Sequence, residues 1–201
     1  MIDRLVTERL ISEFKTLSKN SCGNMFCTTC GGYFRIVVDN VRLSSIKVIK
    51  DLLKTITLHE VDKYFGEWQY VLSHFDPDGF SDIFIREAKQ VDLSDTAAVD
   101  QFLIKTRREY KDSNTEFSDL YKKILKYAIS KSVSESNESL TETVIVVLRE
   151  KAKEYHGLLE YALSVSRHNN QMKRVLYNFF REEIKEVRDY TGDGSTSFAW
   201  Y

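Results

Sequence analysis

The three thiols of this chain fall within a single run, Cys22-Gly23-Asn24-Met25-Phe26-Cys27-Thr28-Thr29-Cys30-Gly31-Gly32. Thiolates three residues apart, as in Cys27-x-x-Cys30, reach one tetrahedral ion if the chain between them turns sharply. The glycine that follows, Gly31, suits such a zinc knuckle because glycine accepts positive φ at that turn. Cys22 offers a third sulfur five residues upstream. Cys22, Cys27 and Cys30 are therefore the candidate metal ligands, and zinc is the ion this donor set favours.

Three chemistries compete for the run. A structural zinc site needs one more nitrogen or oxygen donor, and His59, His74, His156 and His168 all lie far from it in sequence. The C-x4-C-x2-C spacing also matches three ligands of a plant-type iron–sulfur site, but the chain has no fourth cysteine. A reactive dithiol normally sits where a strand feeds a helix in a βαβ unit, and the patterning shows none. The plainest alternative is three reduced cysteines packed as small apolar residues in a tight loop.

Other constellations carry less. His74-Phe75-Asp76-Pro77-Asp78-Gly79-Phe80-Ser81-Asp82 gathers a histidine and three carboxylates, but Pro77 and Gly79 break the calcium-loop pattern and the closing glutamate is missing. It is expected to be an acidic turn. His59-Glu60 lacks the second histidine of a zincin, and neither a P-loop nor a G-x-S-x-G elbow occurs. Gly192-Asp193-Gly194-Ser195 has no lysine and no flanking strand–helix pattern, so it reads as tail.

The elements that must hold these residues are helical by pattern. One proline and eight glycines in 201 residues impose few breaks. Apolar residues at spacings of three and four mark a helix over 2–18, with Ile2, Leu5, Val6, Leu10, Phe14 and Leu17 on one side. Residues 33–38 are β-branched and aromatic, yet a lone strand would lack a partner, so helix or irregular structure is expected. Thr57-Leu58-His59-Glu60 is a capping box, Asp76-Pro77-Asp78-Gly79 a turn, and Ser94-Asp95 a cap. Residues 132–139 form a serine-rich connector. The fold class expected is all-α, a single-domain bundle or irregular stack of helical hairpins with about seven to nine helices. The helical domain spans 1–191 with its cysteine loop at 20–34, and 192–201 form a flexible aromatic tail.

Charge narrows the partners. Residues 61–100 carry nine acids against three bases, whereas a nucleic-acid binder concentrates basic charge on one face. Lys122, Lys123, Lys126 and Lys131 do not share such a face and read as solvated. No apolar run spans a bilayer, and three cysteines without an export signal point to a reducing cytoplasm. The expected function is a non-enzymatic interaction module of the inhibitor or immunity type, binding a basic protein such as a toxin or nuclease. Glu67, Asp76, Asp78, Asp82 and the aromatics Phe198, Trp200 and Tyr201 are its candidate contacts. The alternative is a metal- or thiol-dependent enzyme or sensor built on the cysteine cluster.

Overall fold

A computed structural model describes residues 1–106, 115–135, 137–151 and 156–181. The fold is all-α, with eleven α-helices, two short 3-10 segments and no strand among the described residues. None of the described helices is long and apolar enough to cross a membrane. Contacts divide the chain into two compact units. One comprises Met1–Gln90 with Glu109–Leu120, and the other Val91–Arg108 with Tyr121–Tyr201.

The first unit begins with α1 (Ile2–Asn20), followed by α2 (Cys30–Arg42) and α3 (Ile46–Leu53). The 33–38 segment lies inside α2 and is helical, as the missing strand partner implies. In α1, Leu10, Phe14 and Leu17 enter the core, whereas Ile2 and Leu5 at its start stay exposed. Asn40 Nδ2 donates to Glu13 Oε2 at 3.1 Å and fastens α2 to α1.

Thr57 and Glu60 form the expected capping box, with the Thr57 N–H donating to the Glu60 carboxylate at 2.8 Å. It starts α4 (Leu58–Val61), which leads through a 3-10 turn (Asp62–Tyr64) into α5 (Phe65–Phe75). Asp76-Pro77-Asp78-Gly79 does not form a free turn. Pro77 is the first residue of α6 (Pro77–Gln90), where its missing N–H costs nothing, and the Asp76 carboxylate accepts from the Gly79 N–H at 3.2 Å.

Arg86 on α6 fixes the end of α3. Both its terminal nitrogens donate to the Leu53 carbonyl at 3.0 Å, and Nη2 also donates to that of Ile56 at 2.6 Å. A guanidinium thus satisfies carbonyls left unpaired where the helix stops, and its charge suits that end of the dipole.

The second unit holds α7 (Thr96–Thr106), α9 (Glu138–Lys151), α10 (His156–Val165) and α11 (Asn170–Phe179), while α8 (Thr115–Glu135) contributes to both units. Asp95 caps α7 as expected, its Oδ1 accepting from Ala97 N at 2.9 Å. The serine-rich connector is mostly helix. Ser132 is buried and donates to the Ile129 carbonyl at 2.9 Å, so α8 runs on to Glu135. Asn137 then caps α9 by accepting from Leu140 N at 3.1 Å. Serine hydroxyls that bond back onto the preceding turn let a polar sequence stay helical.

Replacing Arg86 with Met is expected to cost about 2 kcal/mol, since two carbonyls lose a charged donor. Thermal unfolding followed by far-UV circular dichroism should show a midpoint about 4–8 °C lower. The same change at Arg4, whose pair with Glu8 is exposed, should leave the midpoint in place.

Candidate metal centre

The cysteine loop connects α1 to α2, and backbone contacts close it. Ser21 caps α1 through its N–H to the Leu17 carbonyl at 2.9 Å. Gly23 follows at φ +76°, where a side chain would be strained and would meet the Lys63 carbonyl at 3.2 Å. Asn24 then makes a tight turn, its side chain accepting from Phe26 N at 2.9 Å and its carbonyl from Cys27 N at 3.0 Å. Cys30 is the first residue of α2.

Gly31 is required, but not for the reason its motif suggests. Gly23 is the described glycine with positive φ, and Gly31 is helical. A Cβ on Gly31 would lie 2.2 Å from the Met25 carbonyl oxygen. The residue must be glycine because the Asn24–Met25 backbone packs directly upon it.

This closure brings the Sγ atoms of Cys22, Cys27 and Cys30 within 4.8 Å of one another. The Cys22 and Cys30 sulfurs are 2.9 Å apart, and all three cysteines are free thiols. Ligands about 2.3 Å from one tetrahedral ion stand about 3.8 Å from each other, so Cys22 and Cys30, at 2.9 Å, would part by about 0.9 Å to share one. Three cysteines this close together can hold a metal. Among the described residues, no histidine or carboxylate joins the group. His59 and His74 are exposed elsewhere, and the side chains of His156 and His168 lie outside the description.

The surroundings favour negative charge on sulfur. Cys30 is drawn down to about 6, chiefly by the hydrogen bond from the Cys22 thiol, then by the Cys22 N–H and the Cys27 thiol. The N-terminus of α2 adds its dipole. The Cys22 thiol is raised, mainly because it is the donor to Cys30.

Residues forty positions downstream support the loop. The Tyr64 hydroxyl hydrogen-bonds the Ser21 hydroxyl, and Lys63 Nζ donates to the Ser21 carbonyl at 2.6 Å. Tyr64 is raised mainly by burial, with further contributions from Cys30 and Cys22 beside it. Its ring stacks on Phe34 at 4.2 Å, Phe34 meets Trp68 at 5.0 Å, and Trp68 meets Phe14 at 4.3 Å. This aromatic column joins the cysteine loop to the core of the first unit. Ser21, Lys63 and Tyr64 carry no recognisable spacing relative to the cysteines, so sequence patterns did not reveal them.

The remaining candidates are dispersed. Asp78 and Asp82 are exposed one turn apart on α6, whereas Asp76 is occupied at the start of that helix. The acidic turn brings no third ligand together among the described residues. Glu67 lines a groove of about 390 Å³ with Met25, Phe34, Val38, Arg42 and Tyr70. Phe198, Trp200 and Tyr201 lie outside the described residues. No known protein family matches the chain, and no curated protein or solved structure gives a match.

Gly31→Ala should force the Asn24–Met25 backbone away and part Cys22 from Cys30, slowing iodoacetamide labelling of Cys30 at pH 7, while far-UV circular dichroism stays helical. Wild-type labelling of Cys30 in this variant would contradict the packing argument. In metal-free protein at pH 7, iodoacetamide should label Cys30 before Cys22, because a thiol near 6 is about nine-tenths thiolate there. Peptide mapping across pH should show the Cys30 labelling rate falling below about 6, where it becomes protonated, and its lead over Cys22 narrowing only at high pH, where the raised Cys22 thiol ionises.

Proposed function

We propose that Cys22, Cys27 and Cys30 hold one zinc ion, and that the metal-pinned loop forms the contact face of a non-enzymatic interaction module. The observation that carries this reading is the convergence of three free thiols within 4.8 Å on a loop closed by its own backbone. When bound, zinc supplies a rigid tetrahedral cross-link and takes the thiols as thiolates. The chain's own groups prepare for that charge. Backbone N–H groups of Cys22 and Asn24 point at sulfur, and the start of α2 faces Cys30.

The face beside the loop supports the interaction part. Phe26 is 80% and Tyr70 77% exposed, and Met25 lines the groove that also holds Tyr70 and Glu67. Aromatic and methionine side chains that protrude beside a fixed backbone are suited to protein contacts. Glu67 in this groove, and Asp78 and Asp82 on α6, favour a basic protein partner, with toxins and nucleases among the classes of that charge. Pinning the loop would hold Met25 and Phe26 in place before binding and so reduce the entropy lost on association. Free thiols in this number suit a reducing cytoplasm.

Elemental analysis of protein purified without a metal-affinity step tests the reading. About one zinc per chain is expected in wild type and almost none in Cys27→Ser. Chelation should lower the unfolding midpoint, because an ion bound only to the folded state stabilises it. Absence of metal, together with three freely titrating thiols in the folded protein, would refute the zinc centre.

A further inference from the structure

We propose that Cys22 and Cys30, not the Cys27-x-x-Cys30 pair, form an intramolecular disulfide in exchange with a low-molecular-weight disulfide of the glutathione type. The pair goes beyond the zinc reading and does not require it. Proximity in sequence favours Cys27 and Cys30, which the motif places three apart. The fold instead brings Cys22 to 2.9 Å from Cys30 across the whole loop, while each lies within 4.8 Å of Cys27. A disulfide bond is about 2.05 Å long, so Cys22 and Cys30 must close by less than one ångström.

The roles within the pair follow from what surrounds each sulfur. Cys30 is the first residue of α2, where the positive end of the helix favours a thiolate, so it is the attacking sulfur. Cys22 is exposed beside it and resolves the intermediate. In the first step the Cys30 thiolate attacks one sulfur of oxidised glutathione, which forms a mixed disulfide and releases one glutathione thiolate. In the second, the Cys22 thiol gives its proton to water and attacks Cys30 Sγ, expelling the second glutathione thiolate. Two protein thiols are oxidised and one glutathione disulfide is reduced to two thiols.

The bond has a consequence for the metal centre. It occupies two of the three sulfurs, so an oxidised chain cannot hold the ion that a reduced chain holds. Oxidation and metal binding exclude each other at the same atoms. The loop that carries Met25 and Phe26 would then be closed by a covalent bond in one state and by an ion in the other.

The test uses the full chain, reduced and freed of metal, then incubated with oxidised glutathione and blocked with iodoacetamide. Trypsin and chymotrypsin together cut after Lys19, Phe26 and Tyr33, which separates Asn20–Phe26 from Cys27–Tyr33. The expected product is these two peptides joined, with the alkyl group on Cys27. Cys22→Ser should stall with glutathione on Cys30, and Cys27→Ser should still form the bond. A disulfide confined to Cys27–Tyr33, a Cys22–Cys27 link, a wild-type chain that keeps glutathione adducts without an internal bond, or three alkylated thiols would each overturn the proposal. In a parallel sample, one equivalent of zinc added first should slow the reaction by about tenfold or more. Equal rates there, with the expected peptide formed, would refute the metal centre and leave the pair standing.

Discussion

The contact between Gly31 and the Met25 carbonyl is the constraint on which the cysteine site depends. A methyl group in place of the Gly31 hydrogen would overlap that oxygen at 2.2 Å. Without the contact, the Asn24 turn cannot fold back over the start of α2, and Cys22 is not delivered to Cys30. The three sulfurs converge because backbone is packed on backbone. The chemistry of the site is therefore a product of steric closure first and of charge second.

The closed loop would still be a mobile surface feature if nothing anchored it. Tyr64 and Lys63 provide the anchor by bonding Ser21 from the far side, and the Phe34 ring stacked on Tyr64 extends it inward. Phe34 lies one helical turn beyond Cys30, so α2 presents its first sulfur and its first core aromatic on nearby parts of the same surface. Trp68 is fully buried between Phe34 and Phe14. Any change in loop geometry is thus transmitted to a column of rings in which displaced volume has nowhere to go.

The sulfur environment adds a second kind of order. Donors aimed at Cys30 make its thiolate favourable, whereas Cys22 is held as the thiol that donates to it. The proposed metal ion would take both sulfurs as thiolates, and the proposed disulfide would join them with loss of two electrons. The three sulfurs are free thiols, close together and partly exposed.

Much of the local structure was determined by the sequence alone. The apolar spacing of α1 from Leu10 on, the Thr57–Glu60 box and the Asp95 cap are decided within one or two turns of helix, where side chain and backbone interact at fixed offsets. The cysteine run was legible for the same reason, since ligand spacing is a local property. Where short-range signals were misleading, a longer-range contact or a different backbone use had won. Pro77 starts a helix that Asp76 caps, and Ser132 bonds back onto its own turn inside α8. Only the tertiary structure decided which sulfurs touch, why residue 31 must be glycine, and that Ser21, Lys63 and Tyr64 hold the loop. The first two are set by how the loop folds back on itself, and the last joins Ser21 to residues 63 and 64, a separation across which no periodicity records a pairing.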